Sequence, residues 1–325
     1  MTRRVWRAAL VAALLLAALW VALAGPSRLP ATPSRPAASY AEALARFQTL
    51  AGLDGKETNP ACRSRLLTRG GRAGRVVVLL HGFTNCPRQF EQLGVLLHDA
   101  GANVLIPRIV RHGLGDRMTR DLAGLTGREL LDAAGDAVDM AQGLGDTVVV
   151  VGLSSTAVAA AALAQTRPDL DRAVILAPAL APQRVSPPLA RRAATLLIHA
   201  PNLFVWWNSK ARESLGGPPQ AYPRFPTRAL GEIYRLGSQV LIEAEKERPA
   251  ARSIVVVTTA ADRAVNNGTV AELARRWRAK GATVTEHEFP AALRVPHDMI
   301  DPEQLDARVD AVYPVLASFA LGTGP

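Results

Sequence analysis

Cysteine is nearly absent from this 325-residue chain, which contains only Cys62 and Cys86. A dense disulfide framework is therefore excluded, and stability has to come from a packed core, for which a hydrophobic fraction of 49% is ample. A basic stripe interleaved with aromatics is also missing. The formal charge is +10, yet the arginines that dominate the basic set are scattered among acids, which argues against a nucleic-acid partner. Acidic residues are missing from the first 24 positions, where Arg3, Arg4 and Arg7 precede an unbroken apolar run over 8–24. Without those three arginines the charge is +7.

The opening segment reads as targeting rather than fold. Ala22, Leu23 and Ala24 form an Ala-x-Ala site suited to signal removal, and Gly25 and Pro26 stop any helix. The run is nevertheless longer than a usual signal core and, at about 1.5 Å per residue, nearly spans a bilayer. Residues 1–24 are thus a signal peptide or an N-terminal membrane anchor, and the sequence leaves both open. Arginines held on the cytoplasmic side export the remainder either way, so the expected location is extracytoplasmic: periplasmic, secreted or anchored to the inner membrane. Thr2, Arg3 and Arg4 weakly resemble a twin-arginine signal. Residues 25–37, rich in Pro, Ser, Ala and Arg, read as a linker, and the folded domain is expected over 38–325. In an exported chain an isolated cysteine pair favours a bridge; the alternative is two buried thiols. A bridge would close a loop of about 25 residues and stabilise by about 3 kcal/mol, pinning the N-terminal segment beside His81 and Gly82.

Short apolar runs over 75–80, 103–107, 147–151, 173–176, 254–257 and 283–289 read as strands. Helical spacing covers Phe90, Leu93, Leu96 and Leu97, then 126–144, 155–165, 270–280 and 305–319. Alternation at this rhythm predicts an α/β fold, a mostly parallel sheet flanked by helices with right-handed crossovers. Loops at the carboxyl ends of such strands host chemistry. Between Pro178 and Pro249 the rhythm fails, and Leu203, Phe204, Trp206, Trp207, Tyr222, Phe225 and Tyr234 gather among prolines. An inserted cap over about 179–250 is expected, its aromatics lining an acyl or alcohol pocket or gluing the cap to the domain.

Ser154 is the candidate nucleophile, because an apolar strand passes through Gly152 and Leu153 into it and an Ala-rich helix follows at once. A serine hydroxyl needs a base, and the base needs an acid to fix its tautomer. Of six histidines, His81 opens a turn, His98 is helical, His199 is in the cap, His287 alternates along a strand, and His112 in its Gly-containing loop suits packing. His297, in the loop after the last strand, is the candidate base. Asp262, at the exit of the penultimate strand, is the candidate acid; Asp298 and Asp301 are rivals, but Asp298 adjoins the base and should point elsewhere. The oxyanion needs two N–H donors, for which the amides of Phe83 and Ser155 are the candidates.

His81-Gly82-Phe83-Thr84, Arg111-His112-Gly113, Gly152-Leu153-Ser154, Asp262 and Pro296-His297-Asp298 stand in the chain order Ser, Asp, His. This set resembles an α/β-hydrolase of the bacterial carboxylesterase and monoglyceride-lipase type, over roughly residues 75–320. The resemblance implies a serine-dependent acyl-enzyme mechanism on small-molecule esters or lipids, with no metal and no organic cofactor. Two departures stand out. Thr156 occupies the closing Gly position of G-x-S-x-G, where crowding by about 1–3 kcal/mol is expected unless the turn relaxes, and little strand pattern precedes Arg75, where this fold often opens with antiparallel strands. The leading expectation is an exported carboxylesterase or lipase-like serine hydrolase. The alternatives are a catalytically silent lipid- or ligand-binding protein and an amidase or peptidase with the same triad; dehalogenase chemistry is disfavoured because that branch places an aspartate at the position of Ser154.

Overall fold

A computed structural model describes residues 3–23, 28–31 and 33–323. In chain order the elements are α1 (Arg3–Leu23), α2 (Tyr40–Gly52), β1 (Arg65–Leu67), β2 (Ala73–Leu80), α3 (Glu91–Asp99), β3 (Asn103–Ile106), α4 (Gly127–Leu144), β4 (Gly145–Leu153), α5 (Ser155–Thr166), β5 (Arg172–Leu176), α6 (Pro187–His199), β6 (Phe204–Trp206), β7 (Arg224–Pro226), α7 (Thr227–Lys246), β8 (Ser253–Thr259), α8 (Asn267–Ala279), β9 (Val284–Phe289) and α9 (Val309–Leu321). Among the described residues no helix is long and apolar enough to cross a membrane. Thr2, Ala24, Gly25 and Pro26, on which parts of the targeting reading rest, lie outside the described residues.

Seven strands pair in the order β1-β3-β2-β4-β5-β8-β9. All pairs are parallel except β1 with β3. The apolar runs predicted as strands are the six parallel strands. One short antiparallel strand, β1, stands where the sequence carried little strand signal; its residues are only half-buried, so no buried run marks it. Val76 to Leu80 and Val148 to Leu153 are almost wholly buried, as strands covered on both faces must be.

Local chemistry explains the principal helices. Thr126 caps α4 by accepting from the Glu129 amide while the Glu129 carboxylate accepts from the Thr126 amide, a reciprocal cap that satisfies two donors. α5 is apolar on every side, with Ala157 to Ala164 at most 1% exposed, which fits a helix enclosed between sheet and neighbouring helices. α7 is amphipathic and buries Ile233, Leu236 and Val240; Glu232 on this helix accepts from the Gly127 amide at the start of α4. α6 packs on α7, which also packs against α4, α5 and α8, and the antiparallel pair β6/β7 lends Trp206 and Phe225 to the cavity that holds Ser154. The closing helix begins at Val309, later than the expected position 305, because Asp301 to Arg308 form turns that leave Leu305 fully exposed at a cavity mouth.

Candidate active site

In register, Leu80 lies opposite Gly152, Leu153 opposite Leu176, and Thr259 opposite Phe289. The loops leaving β2, β4, β8 and β9 thus open at one edge of the sheet. Ser154 sits at the sharpest of these turns with φ 57 and ψ −107, a backbone conformation that costs a non-glycine residue about 1–3 kcal/mol. Its amide donates to the Leu176 carbonyl at 2.9 Å, and its carbonyl accepts from Ala179 at 3.0 Å, so both flanks of the turn are tied down. Gly152 is obligatory: a Cβ there would meet the Thr156 carbonyl oxygen at 2.5 Å.

Thr156 does not crowd the elbow. Its hydroxyl is satisfied at the ends of β2 and β4, donating to the Leu80 carbonyl at 2.7 Å and accepting from the Leu153 amide at 3.1 Å. Only 1% exposed, it fastens the end of β4 to the end of β2.

Three distant side chains meet above that turn. Ser154 Oγ donates to His297 Nε2 at 2.9 Å, and His297 Nδ1 donates to Asp262 Oδ2 at 2.7 Å. Asp262 Oδ1 accepts from the amides of Ala264 and Val265 at 2.7 and 3.1 Å, which fixes the carboxylate face that meets the ring. Asp298 turns to Gln89 and Gln304 instead, and Asp301 accepts from Asn85. Burial alone would raise Asp262, but the His297 hydrogen bond and charge and the two amides hold it below the usual carboxylate value. Burial pushes His297 down, yet the hydrogen bond and charge of Asp262 and the charge of Asp298 outweigh it and raise the imidazole above its ordinary value. Burial pushes Asp301 up to about 6 despite its Glu303 amide and Asn85 partners.

The amides of Phe83 and Ser155 donate to none of the described residues, and both residues face the same cavity as Ser154 and His297. The orientation of the Phe83 amide has a visible cause. Ile109 donates to His81 Nε2 at 3.1 Å, which leaves Nδ1–H to donate to the Gly82 carbonyl at 3.1 Å. Since the peptide is trans, anchoring that carbonyl aims the Phe83 N–H the opposite way. Burial keeps His81 neutral by driving it well below its ordinary value. His112 packs edge-on against His81 and Phe83, and burial lowers it to about 4.

The cysteines are bridged, with Cα atoms 5.2 Å apart. The bridge packs on Gly113, where φ is +70 and a Cβ would meet Cys62 Cβ at 2.8 Å, so the Arg111-His112-Gly113 loop and the loop after β2 are held as one body. The cavity encloses about 780 Å³ and is lined by Phe83, Trp206, Trp207, Tyr222, Phe225 and Tyr234 among others. Trp207 and Phe225 stack with centroids 4.2 Å apart, and the Trp207 indole donates to Thr84 Oγ1 at 2.9 Å. Of the aromatics gathered between Pro178 and Pro249, Trp206, Trp207, Tyr222, Phe225 and Tyr234 line the cavity, and Trp207 also bonds the loop after β2; Leu203 is exposed, and Phe204 packs under the Arg224 guanidinium. Sequence reasoning gave no role to Gln89, Asn85 or the Thr84 hydroxyl, for no spacing rule links them to partners more than a hundred positions away.

Among curated proteins nothing matches. Among solved structures, one from a study of LipS and LipT, two metagenome-derived lipolytic enzymes, is similar at 18% identity and TM-score 0.59, covering 82% of this chain and 99% of that one. The monoacylglycerol lipase of Paleococcus ferrophilus is similar at 17% identity and TM-score 0.59, covering 80% and 98%. A soluble variant of the monoglyceride lipase of Saccharomyces cerevisiae follows at 13% and 0.58, covering 81% and 92%. At these identities the likeness speaks for the fold. The alpha/beta hydrolase family model matches residues 77–307, which include every side chain of the site just described. The chain belongs to the alpha/beta hydrolase family.

Proposed function

We propose that the protein is a serine hydrolase that cleaves carboxylic esters through an acyl-enzyme. The observation that carries this reading is the continuous chain of hydrogen bonds from Ser154 through His297 to Asp262, at 2.9 and 2.7 Å, beneath an aromatic cavity. Ser154 Oγ attacks the ester carbonyl while His297 Nε2 takes its proton, and Asp262 holds the ring and stabilises the imidazolium. The amides of Phe83 and Ser155 receive the oxyanion, each such donor being worth about 3 kcal/mol in the transition state. The C–O bond to the alcohol then breaks, and His297 returns its proton to the departing oxygen. Water enters, gives a proton to His297 and attacks the acyl carbon; the acid leaves and Ser154 regains its proton.

The aromatic part of the lining favours an ester with an apolar acyl or alcohol part, and the carboxylates of Asp298, Glu303 and Asp306 in the same lining disfavour an anionic one. We also propose that the chain is exported, on the strength of the arginine-flanked apolar segment and the bridged cysteines; fractionation of cells expressing the full chain tests this, and a cytosolic pool with reduced thiols refutes it. For the chemistry, the wild type is expected to hydrolyse short-chain aryl esters and to take up a fluorophosphonate on Ser154, located by peptide mass spectrometry, while Ser154→Ala does neither. An unlabelled wild type would favour a ligand-binding protein. Preference for aminoacyl arylamides over aryl esters would move the same machinery to amide bonds.

A further inference from the structure

The loop after β2 and the loop after β9 carry the two halves of the machinery, an N–H donor at Phe83 and the base at His297, more than two hundred residues apart in the chain. One buried side chain bonds the chain neighbour of each. Gln89 lies in the short 3-10 turn Pro87–Phe90 and is 0% exposed. Its Oε1 accepts from the Gly82 amide at 2.9 Å, and its Nε2 donates to Asp298 Oδ1 at 3.1 Å. The amide orientation follows from chemistry: the Gly82 N–H is an obligatory donor and must face Oε1, leaving Nε2 for the neighbour of the base. Gly82 and Asp298 are each the chain neighbour of a working group, Phe83 and His297. Beside this link runs a second, from Asn85 Nδ2 to Asp301 Oδ2 at 3.0 Å, and Asn85 Oδ1 also accepts from the Cys86 amide.

We propose that Gln89 is a positioning residue that sets the distance between the oxyanion donor and the general base by bonding the Gly82 amide and the Asp298 carboxylate at once. The inference rests on the serine-hydrolase reading of the site. A primary amide is the side chain that suits the position, because one end has to accept and the other has to donate. A carboxyl group can donate to Asp298 only while it holds a proton, and an aliphatic side chain of the same length leaves the Gly82 N–H and a carboxylate oxygen without partners inside the protein. Misplacement of a donor or base by a fraction of an ångström is felt in the transition state before it is felt in substrate binding.

The test is a charge exchange across the link. Gln89→Met removes both bonds without adding charge, and is expected to lower kcat on an aryl ester by about tenfold to a hundredfold with KM changed less than about threefold. Gln89→Glu retains the acceptor for Gly82 but sets two carboxyl groups against each other, and is expected to show the same loss where both are ionised and to recover, relative to the wild type, at low pH, where one shared proton restores a donor. Adding Asp298→Asn restores one donor and one acceptor in reversed order, the amide installed at position 298 donating to the new carboxylate. The double variant is expected to recover at least about tenfold in kcat over Gln89→Glu. The fluorophosphonate labelling rate should follow kcat in each variant. Folding of each variant is checked by urea denaturation; should Gln89→Met not fold, Gln89→Glu above the pH at which the shared proton leaves gives the same readout. Full activity in a folded Gln89→Met protein overturns the inference, as does a double variant no faster than a Gln89→Glu protein that has lost activity. A wild type that the probe does not label instead overturns the serine-hydrolase reading, and this inference with it.

Discussion

Replacing Thr156 with valine keeps the shape of the side chain and removes only its hydroxyl, which isolates the bond that ties the elbow to β2. In the wild type that hydroxyl serves the Leu80 carbonyl at 2.7 Å and the Leu153 amide at 3.1 Å, at 1% exposure. Water cannot replace it in so closed a position. Each buried backbone group left without a partner costs about 1–3 kcal/mol, so the pair predicts a loss of about 2–6 kcal/mol in stability for Thr156→Val. Thr156→Ser keeps the hydroxyl and drops a methyl, for which about 1 kcal/mol is expected. Because Leu153 precedes the serine, the loss of the hydroxyl should let the strained Ser154 backbone relax and slow acylation. Urea denaturation gives the stability difference, and burst-phase kinetics on an aryl ester give the acylation rate. A Thr156→Val protein as stable and as fast as the wild type would refute the idea that this hydroxyl replaces the close packing that glycine usually provides at an elbow.

The base must be neutral to act, so activity is expected to rise with pH along a limb whose midpoint lies above the ordinary histidine value of about 6.5, since Asp262 and Asp298 raise His297; a pH–rate profile of kcat/KM measures it. Asp262→Asn should move that limb downward and lower kcat by about a thousandfold or more, and an unchanged profile would remove Asp262 from its assigned role. Asp301, buried and pushed up to about 6, favours its protonated form in the fold. Its contribution to stability is therefore present at low pH and lost as pH rises through about 6, and the urea midpoint of Asp301→Asn should depend less on pH across that window than that of the wild type. Reduction of the Cys62–Cys86 bridge, which encloses a loop of about 25 residues, should cost about 3 kcal/mol and lower the thermal midpoint, measured with and without dithiothreitol in the full chain.

The positions of the six parallel strands along the chain, the turn at Ser154 and the helix that follows it were written in local patterns: buried apolar runs, an Ala-rich stretch, Gly152 two residues before a serine; their order in the sheet was not. Elimination among six histidines then led to His297, and position at a strand exit led to Asp262, because loops at the carboxyl edge of a parallel sheet converge by topology. Other features had no local signature. β1 is too short and too exposed to carry an apolar pattern, and the start of α9 depends on turns around Asp301. The fit of Thr156 depends on a carbonyl 76 residues away, and Gln89 acquires its partner at Asp298 only when β2 and β9 lie in one sheet. Sequence by itself determined which side chains can do chemistry and at which ends of which strands they stand, since periodicity and turn residues act over a few positions. The tertiary structure alone decided whether hydroxyl, imidazole and carboxylate come within hydrogen-bonding distance, and which buried polar groups hold them there, since hydrogen bonds between remote loops are set by the packing of the whole sheet.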